Sequence, residues 1–95
     1  MKIENVEVEN SHEVDNFDGS DLRVFVTDGE NGKRYCFVYD RKKKVGADFD
    51  KVHRVDKTGM LVHPPEPRKG YEDIAEQIKQ HPKVRLRALI KGNPE

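Results

Sequence analysis

Apolar residues recur along the chain with the periods of strands and of one helix. Ile3, Val6 and Val8 predict a short first strand. From Glu9 to Asp21 the sequence turns polar, with only Val14 and Phe17 apolar, which predicts a mobile acidic loop near 9–21. Residues 22–27, Leu-Arg-Val-Phe-Val-Thr, are rich in β-branched and aromatic side chains and predict a strand. Residues 28–32, Asp-Gly-Glu-Asn-Gly, hold an Asp-Gly and an Asn-Gly pair, whose glycines supply positive φ cheaply in a hairpin turn. Residues 34–39 form the second arm.

Past this hairpin the signals weaken and then sharpen again. Val45, Phe49, Val52 and Val55 predict a further strand, and Met60-Leu61-Val62 a short apolar piece. Pro64, Pro65 and Pro67 make 63–68 a stiff extended connector, because proline fixes φ and removes a donor. Tyr71, Ile74, Ala75 and Ile78 fall at i, i+3, i+4 and i+7, one face of a helix. Glu72 and Asp73 at its start and Lys79 at its end suit the helix dipole, and Pro82 stops it. Lys83, Arg85, Arg87 and Lys91 then alternate with Val84, Leu86, Ala88 and Ile90, the period of a last strand. The order predicts a single α+β domain over 1–95. It is a small, mainly antiparallel sheet of four to five strands, with one helix from the C-terminal half packed on it.

Composition sharpens this picture in two respects. Hydrophobic residues are 34% and charged residues 38% of 95, so the core is thin, and a partner or a homodimer is a plausible further source of stability. One cysteine, Cys36, excludes an internal disulfide, and no run reaches the ~20 apolar residues of a membrane span. The start of the chain lacks a signal-peptide apolar stretch. Together these predict a cytoplasmic protein with no membrane partner.

The net charge is zero, yet unevenly spread. Through Gly32 nine acids face two bases, a net of −7, and the remainder carries sixteen bases and nine acids, a net of +7. Such asymmetry fits a nucleic-acid surface, or two halves that neutralise each other as neighbouring strands.

Three groups of residues are candidates for binding. Tyr35, Phe37 and Tyr39 alternate on one face of their strand, as a stacking platform for bases does and as a row buried under a helix also does. Lys33, Tyr35, Phe37 and Val38 resemble fragments of the aromatic strand motif of RNA-recognition-motif domains. The chain is not assigned to that family: Arg34 and Cys36 stand where the motif has small residues, Asp40 where its last aromatic belongs, and no helix precedes the strand. Arg41, Lys42, Lys43 and Lys44 form the sharpest basic cluster, suited to phosphate contacts or to a solvated turn. Arg85 and Arg87, with Lys83 and Lys91, form a basic stripe that could bind a polyanion or pair with Glu7 and Glu9.

Catalytic and metal signatures are not found. His12, His53, His63 and His81 share no metal-ligand spacing with one another or with Cys36, so no metal and no cofactor is expected. The sequence therefore predicts a small non-enzymatic binding module for nucleic acid or another polyanion. The competing expectation is a protein-interaction or regulatory module, in which acidic and basic surfaces meet a protein partner.

Overall fold

In the computed structural model, residues 1–10, 21–40 and 48–85 are described. They form β1 (Ile3–Asn10), β2 (Asp21–Asp28), β3 (Arg34–Asp40), β4 (Asp48–Val55) and α1 (Glu72–Lys79). The strands make one antiparallel sheet in the order β1-β2-β3-β4, with each strand beside its neighbour in sequence. This is the expected α+β architecture, with the helix in the C-terminal half.

The β2–β3 hairpin closes on one of its two turn glycines: Gly32 takes a positive φ as expected, and Gly29 does not. Asp28 N–H donates to Lys33 O at 2.8 Å, Gly32 N–H donates to Asp28 O at 2.7 Å, and Gly32 takes φ +76°. The Asp28 carboxylate, itself buried, accepts from the N–H groups of Glu30 at 2.9 Å and Lys2 at 3.3 Å, which ties the turn to the start of the chain.

In-register pairing puts Leu22 opposite Tyr39, Val24 opposite Phe37 and Val26 opposite Tyr35 on one face. That face is covered by α1, whose Ala75 and Ile78 are buried against it while Tyr71 and Ile74 pack at its margin. The 3.6-residue spacing of these four apolar positions is what lets one helix bury a single stripe. Tyr71 stands 6.0 Å from Tyr35 and 6.2 Å from Phe37, centroid to centroid.

Beyond β4 the chain turns back on itself. Asp56 Oδ1 accepts from Thr58 N–H at 2.9 Å, Thr58 Oγ1 at 2.6 Å and Met60 N–H at 3.0 Å, which fixes the turn. Residues 61–66 then lie along the outer edge of β4. Val62 N–H donates to Arg54 O and Glu66 N–H to Val52 O, each at 2.8 Å. The Pro-rich connector is thus an edge strap, in keeping with proline's confinement to sheet edges. The His63–Pro64 peptide is cis.

Two sequence expectations change, at the 9–21 loop and at the start of the last strand, and a third reaches outside the described residues. β1 runs through Asn10 and β2 begins at Asp21, so Glu9, Asn10 and Asp21 are strand rather than loop; the rest of the 9–21 loop lies outside the described residues. The fourth strand's proposed beginning at Val45 lies outside them too, and the described strand starts at Asp48. The last strand is not one at its start, because 82–85 are helical, with Val84 and Arg85 N–H both donating to His81 O. Pro82 opens this turn rather than only ending α1, since its fixed φ suits a first helical position, and the His81 ring caps it by accepting from Lys83 N–H at 3.2 Å.

Candidate functional site

The aromatic row is core. Tyr35 is 8% exposed and Tyr39 and Phe37 0%. The Tyr39 hydroxyl donates to Ala75 O at 2.9 Å inside the sheet–helix seam. Burial first, then the nearby Glu76 carboxylate, pushes the Tyr39 phenol far above its ordinary pKa, so it stays protonated. Tyr35 and Tyr39 therefore offer no ring face to a base, and the stacking platform is corrected to a buried row under α1.

The basic stripe is also reorganised. Helical backbone at 82–85 separates Lys83 and Arg85 by about 200° around the axis, so they do not share a face. Lys83 Nζ instead donates to Val6 O on β1 at 3.2 Å, Val84 is buried in the core, and Arg85 is exposed. Among the described residues, Glu7 pairs with Arg34. Arg41, Lys42, Lys43, Lys44 and Arg87 lie outside the described residues.

Arg34 is a hub of the sheet face opposite α1. Its Nη2 meets Glu7 Oε1 at 2.9 Å, and its Nη1 donates to Thr27 Oγ1 at 2.7 Å and to Asn5 O at 3.2 Å. The guanidinium carbon lies 5.9 Å from the centre of the Phe25 ring. One cation thus clasps three strands.

Arg34–Val55 is the last pair of the β3–β4 ladder. Beyond it the two chain paths part, and a groove of about 480 Å³ opens in the fork, lined by Gly32, Lys33, Arg34, Arg54, Val55, Asp56 and Lys57. Four of these seven are cations. Among the described residues, no carboxylate forms an ion pair with Lys33, Arg54 or Lys57. The single acid among the described lining residues, Asp56, is turned to its own loop: the Thr58 hydroxyl bond, then Met60 N–H, hold its carboxyl below the usual carboxylate range. A second depression of about 330 Å³ shares Arg34, Val55, Asp56 and Lys57 and adds Glu7, Glu9 and Phe25. Sequence reasoning missed the basic fork, because Arg54 and Lys57 lie some twenty residues from Lys33 and only strand register joins them.

Burial pushes the Cys36 thiol up to about 12, so it is a small core residue across the ladder from His53. Among the described residues, no group of three or more His, Cys, Asp or Glu is placed to hold a metal ion. Nor is any helix among them long and apolar enough to cross a membrane. Arg68 lies over the Phe49 ring, with its guanidinium carbon 5.2 Å from the centroid. No protein-family model, curated protein or solved structure matches this chain.

Proposed function

We propose that the domain is a small non-enzymatic binding module for a polyanion, with a nucleic-acid phosphate backbone as the favoured occupant. One observation carries the reading: Lys33, Arg54 and Lys57, none in an ion pair with a described carboxylate, surround one groove whose only acid among the described residues is held in its own turn. Clustered cations attract phosphates and release counterions on binding. With the aromatic row buried, recognition rests on phosphate contacts, which position a ligand without reading its bases. A single free cysteine fits a reducing cytoplasmic setting for this partner.

A protein partner is the second reading, favoured by the adjoining depression. There Glu7 and Glu9 interleave with Arg34 and Lys57 beside Phe25, a mixed surface that suits a charged polypeptide.

Titration of mixed single-stranded and duplex nucleic acid at about 50 mM salt separates the readings, since attraction is weakly screened there. Binding that weakens in Lys33→Ala/Arg54→Ala/Lys57→Ala supports the groove. Absence of binding at micromolar protein overturns the polyanion reading and leaves the protein partner.

A further inference from the structure

The wall of the basic groove is held by a histidine. Arg54, Val55, Asp56 and Lys57 belong to the hairpin that β4 makes with the strap at 61–66. His53, 2% exposed, reaches across this hairpin, and its Nδ1 lies 3.0 Å from Val62 O. A carbonyl oxygen accepts, so Nδ1 carries the proton and donates. The His53 ring packs edge-on against His63 of the strap, centroids 4.7 Å apart. The strap's other ties to β4 are the two backbone bonds from Val62 and Glu66.

We propose that His53 is a proton-sensitive pin: neutral, it holds the strap against β4 and keeps the groove wall in place, and on protonation it lets the strap open. The pin stands on the hairpin geometry alone; its effect on ligand binding rests on the groove reading above.

The argument is one of charge in a closed space. A second proton on the ring would place a cation under the strap, facing His63 on the strap, Lys51 on its own strand and Arg23 on β2. Cys36, opposite on β3, is a neutral thiol and offers no compensating charge. Burial, the largest influence, lowers the His53 pKa; the Val62 carbonyl opposes it, and the three facing groups reinforce it. The closed strap therefore binds the proton less readily than the open strap does. Its stability relative to the open form is full above pH ~6.5, where a free imidazole is neutral, and falls as pH drops below that value.

Amide exchange of the free protein tests the pin without any ligand. The protection factors of Val62 and Glu66 should fall by up to roughly tenfold between pH 7.5 and 5.5, the proton uptake of a free imidazole one unit below its midpoint. Those of the β2–β3 ladder should hold. His53→Asn, which keeps a donor for Val62 O and does not titrate, should remove the pH dependence. Unchanged strap protection in the wild type, or the same loss in His53→Asn, overturns the proposal. So does a nitrogen chemical-shift measurement that finds the neutral His53 proton on Nε2, a readout that needs no variant. A working pin with no polyanion binding would sink the groove reading alone; polyanion binding that persists without a pH-dependent strap would sink the pin alone.

Discussion

The Tyr39 hydroxyl donates a 2.9 Å hydrogen bond to the Ala75 carbonyl, joining the C-terminal end of β3 to the buried face of α1. Tyr39 is 0% exposed, so water cannot replace this partner. Strand and helix thus share a directional contact in addition to apolar packing.

Tyr39→Phe keeps the ring and removes the hydroxyl. The variant should lose about 1 kcal/mol, the net value of one buried neutral hydrogen bond. Chemical denaturation should show the loss as a lower midpoint with an unchanged slope. A midpoint equal to that of the wild type would mean that the bond contributes nothing to holding the helix.

Phe37 is paired with Val24 and Val52 across the sheet and touches the rings of Phe49 and Tyr71 at 5.7 and 6.2 Å. Phe37→Ala should cost about 3–5 kcal/mol through lost burial and the cavity left behind. In a domain this small that is a large share of total stability, so circular dichroism should show a substantially unfolded population near 37 °C. A thermal midpoint within a few degrees of the wild type would place the core elsewhere.

Cys36 should resist alkylation in the native protein. A thiol shifted from 9.0 to about 12 carries about a thousandth of the usual thiolate, and the strand also shields the sulfur. Iodoacetamide at pH 8 should label the folded chain very slowly and the denatured chain at the rate of a free cysteine. Fast labelling without denaturant would show that β3 opens locally.

The groove cations should set the salt dependence of nucleic-acid binding. Each of Lys33→Ala, Arg54→Ala and Lys57→Ala should flatten the slope of log affinity against log salt by up to about 0.9, one released counterion each. The loss should be similar for all base sequences, since phosphate contacts carry no base information. Fold stability should change by only a few tenths of a kcal/mol, roughly, because surface substitutions away from the core usually do. A slope unchanged in all three variants would place the contacts at other cations.

Local chemistry made much of the fold legible from the sequence. Gly32 at the turn, the β-branched residues of β2 and the i, i+3, i+4, i+7 spacing from Tyr71 to Ile78 each act through near neighbours, and they determined the hairpin, the helix and the α+β class. Tertiary structure decided what those signals leave open. A row of alternating rings reads the same whether a helix or a ligand covers it, and only the packing of Ala75 and Ile78 assigned Tyr35 and Tyr39 to the core. Residues 82–85 carry a strand's alternation, yet Pro82 and His81 start a helical turn there, because burying Val84 against the sheet satisfies either period over so short a run. The basic fork and the His53–Val62 contact depend on which strands lie side by side, and register between distant segments is set by the shared core they bury together.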